Sequence, residues 1–509
     1  MADSPVRPTS NLPVSVEALS DSLPITLHSG DASVRVSGVS LATDSVCVGD
    51  LFIALPGANR HGAEFAEAAL TAGAVAILTD TAGVSHLSNV SAPVLVTEHP
   101  RSLAGRVAAQ VYASNAPRPR VCAVTGTNGK TSVSFYLEAI FRQLGHPTAL
   151  SNSAERQLAG SSYYTKLTTP EAPELHAMLA VAAEKGVEFF ALEASAQAIE
   201  RHRLDGLHVA VAGFTNLSHD HFEDYGDMDR YLSEKLPLFQ PDRSARAVVS
   251  LESPYGATVV ERSGVPTVTV GDTASGAEWT WTSEGQDGPG ETFSLMGPAG
   301  TLHTSIRALG NHMVSNAALA IVMAIEAGIS IEELSAIDTD HGGIDVVVPG
   351  RLEQVSGDSA VSVFVDAGRS ADAYQHTFTT LRERFTGQLI VVCGTSGNRD
   401  RSKRADMGAI ASSMADLVIV TDDDPRMEDP AQIRSDLLEG AKSVEGAAVE
   451  EIADPVDAIR FAVSKAADGD VVVWMGPGSQ HYRDVGGVRK PFSARDEARA
   501  ALREAGWGA

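Results

Sequence analysis

Twelve residues constrain this chain more than any others: Val121–Ser132, VCAVTGTNGKTS. An apolar run ends in Thr125-Gly126-Thr127-Asn128-Gly129-Lys130-Thr131-Ser132. Beyond it Tyr136, Leu137, Ile140, Phe141 and Leu144 recur at helical spacing, and Gly145 is placed to cap the end. The pattern predicts strand, glycine-rich turn and helix. Such a turn aims backbone N–H groups and a helix N-terminus at an anion. Lys130 would reach the outer phosphates of a nucleotide, and Thr131 would offer its hydroxyl to Mg²⁺. The spacing is shorter than the usual G-x-x-x-x-G-K-[ST], because Val124 stands where the first glycine would be. An ordinary glycine-containing βα turn is the alternative.

A chain of 509 residues is too long for one core, and two to four domains are expected. Lys+Arg 39 against Asp+Glu 65 gives a net charge of −26, which argues against a general affinity for nucleic acid. Anionic substrates therefore need local basic pockets, and single Arg and Lys residues carry more weight. Cys47, Cys122 and Cys393 lie far apart without metal-ligand spacing, which suggests a reducing compartment. No apolar run approaches a membrane span, and MADSPVRPTSNLP lacks a signal-peptide core. The chain reads as a cytoplasmic monomer with a disordered start over 1–15.

TGTNGKT resembles the phosphate loop of the Mur ligases, which build peptidoglycan precursors, and of the related folylpolyglutamate synthetases. From about Asp44 to Leu502 the motifs follow the order of the tripeptide-forming branch of the Mur ligases. The resemblance implies an α/β fold of three domains: a UDP-substrate-binding domain over 16–115, a central P-loop-type ATPase domain over 116–348, and a C-terminal doubly wound Rossmann-like domain over 349–509. In the first, Asp44 and Ser45 match the uridine-side motif, but its Arg is missing.

In the central domain the resemblance assigns Thr168 and Thr169 to substrate. Val187–Leu192 reads as a buried strand that delivers Glu193 to its carboxyl end, where ligands sit in open α/β sheets. A carboxylate near a phosphate loop suits Mg²⁺, though Glu193 could instead cap a helix. Ser195 and Arg203 match the family pattern, with Arg201 two residues earlier. Val209–Phe214 reads as a strand ending in Thr215-Asn216-Leu217-Ser218-His219-Asp220-His221, where His221 matches a second metal ligand. Tyr231–Phe239 reads as a helix carrying Lys235, which the resemblance makes a carbamylated Mg²⁺ ligand. His312 and Asn316 match an adenine-lining motif, in which Met313 replaces an Asn.

The last domain begins near Val348-Pro349-Gly350-Arg351, where the resemblance places Arg351 and, further on, Asp366 at ATP. Strands are expected at Ser362–Val365, Leu389–Cys393, Leu417–Thr421 and Asp470–Trp474, each ending in a motif. Arg369 replaces a family residue and offers a cation to phosphate. Arg399 lies in a charge-rich loop close to the family's. Asp423, Asp424 and Arg426 resemble the segment that reads diaminopimelate, with Arg426 forking onto a carboxylate. Gln480 stands where the family has a Glu that pairs with the far amine of diaminopimelate. Arg426 points toward that amino acid and Gln480 away from it.

The implied reaction is ATP-dependent addition of the third amino acid to UDP-N-acetylmuramoyl-L-alanyl-D-glutamate, through an acyl phosphate. Two other readings remain. A folylpolyglutamate synthetase lacks the unit ahead of the phosphate loop. A catalytically silent paralogue that binds nucleotide or protein partners is kept open by Met313, Ala367, Arg369, Pro477 and Gln480.

Overall fold

The computed structural model describes residues 6–114, 119–163, 167–218, 227–287 and 290–508. Three large sheets succeed one another along the described residues, beside two small two-stranded ones. The first is five-stranded, in the order Thr26–Ser29, Val94–Val96, Ala76–Thr79, Asp50–Ile53, Gly38–Ser40, and only the first of these runs antiparallel to its neighbour. The last is six-stranded and carries Ser362–Asp366, Val471–Met475, Leu389–Cys393 and Leu417–Val420 in parallel.

Between them lies an eleven-stranded sheet. Its parallel heart runs Thr148–Ser151, Phe189–Glu193, Arg120–Thr125, Val209–Phe214, Ser244–Ser250, Thr267–Asp272. The central strands Arg120–Thr125, Phe189–Glu193 and Val209–Phe214 are largely apolar, as suits strands covered on both faces. One face packs on the helices Lys130–Gln143 and Asn311–Glu326, with Phe141 stacked on Phe189 at 3.9 Å. The other packs on the helix Ala172–Glu184 and its neighbours. Beyond Thr267–Asp272 the strands Trp279–Asp287, Gly290–Gly297 and Gly300–Ile306 extend one edge as hairpins.

Three expectations need correction. The disordered start does not hold over 7–15. Arg7 pairs with buried Asp50 at 2.9 Å, Ser10 N–H donates to Glu184 at 2.6 Å, and Val14–Ser15 is a strand paired with Arg35–Val36. The segment Tyr231–Phe239 is not one helix. An α-helix spans Met228–Ser233, a 3₁₀ turn spans Leu236–Phe239, and Lys235 sits at the break. Pro237, at the start of that turn, lacks the N–H that would continue the first helix. Arg369 is not held out for phosphate, as the site geometry below shows.

The first and middle units share a core. Ala177 and Ala180 of Ala172–Glu184 belong to the cluster that contains Leu103, Val107 and Ala108 of the helix Pro100–Val111. Gly105 lets the helix lie close to the middle unit; a Cβ there would fall 1.9 Å from the Asp205 carbonyl oxygen. No helix among the described residues is long and apolar enough to cross a membrane.

Candidate active site

The strand Arg120–Thr125 feeds a loop that bends where only glycine fits. Gly126 has φ +144° and Gly129 φ +86°; a Cβ would meet Thr215 Oγ1 at 1.9 Å in the first case and Asn316 Oδ1 at 2.2 Å in the second. The loop is pinned from the neighbouring strand. Thr127 N–H donates to the Asn216 carbonyl at 2.9 Å, and Asn128 N–H donates to Asn216 Oδ1 at 3.0 Å. The helix Lys130–Gln143 starts directly after it, so its N-terminal amides and the Lys130 ammonium share one hollow. Lys130 Nζ donates to the carbonyls of Gly126 at 3.1 Å and Thr127 at 2.7 Å.

Glu193 ends the adjacent strand and is 3% exposed. Its Oε2 accepts from Thr131 Oγ1 at 2.9 Å and from Ser153 N–H at 3.0 Å, and the Thr131 and Ser153 hydroxyls lie 2.9 Å apart. Ser153 escaped the sequence reading because it belongs to a loop without a motif. The donor set is hard oxygen: a hydroxyl and a carboxylate beside an anion cradle. That suits Mg²⁺, which takes one or two carboxylates and completes its shell with phosphate and water.

Lys235 is 1% exposed. Its Nζ donates to the Gly126 carbonyl at 3.0 Å and lies 4.2 Å from the Tyr231 ring centroid. It thus touches the back of the loop. His221, expected as a second metal ligand, lies outside the described residues.

The last unit closes the hollow into a cleft of about 880 Å³. Arg351 donates to Thr131 Oγ1 at 3.1 Å, and Asn128 Nδ2 donates to Asp372 at 3.2 Å. Asp366 accepts from the backbone N–H groups of Leu352 and Gly368, both at 2.6 Å. Burial raises the Asp366 carboxyl from its ordinary range, and Arg351 and the two N–H groups oppose that rise. Ser132, His312, Met313 and Asn316 also line the cleft, as do Glu252, Trp281 and His376, which the sequence reading passed over.

Other expected residues stand apart from this cleft. Ser45 lies on the first unit, its hydroxyl tied to Ser40 at 2.7 Å and the Ala42 carbonyl at 2.9 Å. Thr169 is buried and structural in its contacts: Oγ1 donates to the Glu193 carbonyl at 2.7 Å and accepts from Ser195 N–H at 3.2 Å. Thr168 precedes it, half-buried. Ser195 caps the helix Ala196–Glu200. Arg203 pairs with Glu171 at 3.2 Å, while Arg201 is exposed.

Asp423, Asp424 and Arg426, expected at the incoming amino acid, follow the strand Leu417–Val420 at the carboxyl edge of the last sheet. Asp423 and Asp424 are buried, and Arg369 bonds Asp423 at 3.0 Å and Gln480 Oε1 at 3.3 Å. Burial works against the Arg369 charge, but Asp423 and Asp424 hold the guanidinium pKa above its ordinary value. The cation is committed to these carboxylates, which corrects its expected role at phosphate. Arg426, at φ 54°, is fixed by its backbone: N–H to the Asp484 carbonyl at 2.9 Å and its own carbonyl to Gly486 N–H at 2.7 Å. Burial, then Arg399 and Arg369, lowers the Arg426 pKa. With Arg369 taken up by the two carboxylates, Arg426 and Arg399 are left to favour an anion there.

A glycine-rich anion cradle at the carboxyl edge of a parallel sheet, closed by a second α/β layer, defines a P-loop-type phosphate-binding protein of three units. Residues 35–112 match the Mur ligase family catalytic domain, 124–324 the Mur ligase middle domain and 350–478 the Mur ligase glutamate ligase domain. A UDP-N-acetylmuramyl-tripeptide synthetase from Leifsonia xyli subsp. xyli is 46% identical over 477 residues, covering 93% of either chain. A UDP-N-acetylmuramoyl-L-alanyl-D-glutamate--2,6-diaminopimelate ligase from Streptomyces avermitilis is 36% identical, covering 93% of this chain and 94% of its own. A solved structure of a ligase of that same name superposes with TM-score 0.67 at 29% identity, covering 97% of this chain and 99% of that one. A folylpolyglutamate synthase from Mycobacterium tuberculosis shares the fold at TM-score 0.59 and 19% identity, over 73% of this chain and 92% of its own. The chain belongs to the Mur ligase family.

Proposed function

We propose that this chain is an ATP-dependent ligase of peptidoglycan precursor synthesis, which adds the third amino acid to UDP-N-acetylmuramoyl-L-alanyl-D-glutamate in the cytoplasm, as a monomer. The observation that carries the reading is the convergence of Lys130, Thr131 and Glu193 with Arg351 and Asp366 in one cleft. The likeness to tripeptide synthetases over nearly the whole chain supports it. The three-unit likeness, including the match at 35–112, favours it over a folylpolyglutamate synthetase. The intact cradle favours it over a silent paralogue.

The nucleotide's phosphates would lie on the loop amides of Gly126–Ser132, with Lys130 turning from its carbonyl partners to the outer phosphates. Mg²⁺, held by Thr131 and Glu193, would supply charge neutralisation at the transferring group. Such transfer is mostly positioning and electrostatics. The glutamyl carboxylate attacks the γ-phosphate, giving an acyl phosphate and ADP; the amine of the incoming amino acid then displaces phosphate. That amine must be neutral, so activity rises toward alkaline pH. Lys235 would act as a carbamate. Its amine now faces the Gly126 carbonyl, so an oxygen-bearing form must turn away from it. His221 would stand as the second metal ligand. Arg399 and Arg426 would take an acceptor carboxylate, beside Asp423 and Asp424.

The test is turnover with UDP-muramoyl-dipeptide and a panel of diaminopimelate, lysine, ornithine, diaminobutyrate and neutral amino acids. ADP and phosphate are expected; pyrophosphate, or no turnover with any acceptor, sinks the reading. Lys235→Ala is expected to lose most activity, and normal turnover removes the carbamate.

A further inference from the structure

Two helices from different units touch the phosphate loop and then diverge from it together. On Asn311–Glu326, Asn316 lies against Gly129, within 2.2 Å of where a Cβ would be. On Ala371–Arg384 of the last unit, Asp372 accepts from Asn128 at 3.2 Å. One helical turn away from each contact, about 6 Å along the axis, stand His312 and His376. Their ring centroids are 6.1 Å apart and their planes 32° from parallel, and both rings line the cleft. Gly310 permits this meeting: a Cβ there would fall 2.4 Å from Thr380 Oγ1 on the opposing helix.

We infer that His312 and His376 form one platform for the nucleotide base, and that His376 positions that base from the last unit. The inference rests on reading the cleft as an ATP site. A third ring set against the pair can lie about 5 Å from both centroids at once, within the range of favourable aromatic pairs. The two imidazoles differ in charge. Burial pushes His312 down to about 4, so it is neutral. Asp372, 3.2 Å from His376, holds the second ring's pKa up, and Glu252 adds to that. A base therefore meets a neutral ring on one side and a ring biased to its cationic form on the other, which adds attraction to the π-face. Asp372 also bonds the phosphate loop through Asn128, so one carboxylate links base contact and phosphate contact. Because the rings come from separate units, an occupied platform favours the closed arrangement.

The test uses the full chain and two probes with Mg²⁺ present, ATP and inorganic tripolyphosphate, titrated by calorimetry. His376→Ala is expected to weaken ATP about ten-fold, the usual range for a lost base–aromatic contact, while tripolyphosphate affinity stays within about two-fold. His376→Phe, which keeps a ring, is expected to hold ATP within about three-fold of the parent. Unchanged ATP affinity in His376→Ala overturns the inference, as does an equal loss of both probes, or a Phe variant no better than Ala. A parent protein that holds neither probe defeats the ATP reading itself, a separate failure.

Discussion

Arg404 has no exposed surface, and two carboxylates hold it through three hydrogen bonds. Glu428 receives it through both oxygens at 2.8 Å, and Asp436 through one at 2.9 Å. The Glu428 carboxyl is pulled down to about 2, chiefly by Arg404. Removing one partner of a buried pair strands the other charge. Arg404→Ala is therefore expected to cost about 3–5 kcal/mol, measured by urea unfolding of the last unit; a loss under about 1 kcal/mol would show a dispensable strut. At this scale the sequence was legible where chemistry is local. Lys130 and Thr131 are fixed by the loop they end, and the loop is contiguous. Arg369 was misread because its partner Asp423 is 54 positions away. Ser153 could not be found at all, since one serine in a loop says nothing about the carboxylate it will face. Lys130→Ala is expected to lower kcat/KM by about 10²–10³-fold, with the fold retained by circular dichroism.

The elements were legible where burial repeats. Parallel strands covered on both faces read as apolar runs, and Val209–Phe214 and Leu389–Cys393 fall where expected. The helix through Lys235 was misdrawn because apolar spacing continues across Pro237 while the backbone cannot. The hairpins of 279–306 could not be drawn from composition, since hairpin register depends on turns. The loop itself yields the sharpest prediction at this scale. Gly129→Ala places a Cβ at positive φ and 2.2 Å from Asn316 Oδ1, so the loop must shift. ATP affinity is expected to fall at least about ten-fold with Tm lowered only slightly, read by calorimetry and thermal melting.

At the scale of the molecule, the first and middle units are joined by a buried strut. His176 is fully buried: Nδ1 lies 2.7 Å from Ser114 Oγ and Nε2 lies 2.9 Å from the Asp205 carbonyl. Burial pushes its pKa down to about 4 from an ordinary 6.5. The unfolded chain thus takes up a proton before the folded one does. Stability should be level above about pH 6.5 and fall as pH drops toward 4, by about 2 kcal/mol between pH 7.5 and pH 5. His176→Gln should flatten that slope, measured by denaturant midpoints; an unchanged slope would move its origin elsewhere. None of this junction was readable in advance, because a lone histidine in an apolar helix gives no hint of what it spans. The core shared by Pro100–Val111 and Ala172–Glu184 has a consequence during synthesis. The first helix leaves the ribosome roughly 70 residues ahead of the second, about 4–15 s at ordinary elongation rates. For that interval its greasy flank has no lid, and a nascent-chain chaperone would find its client there.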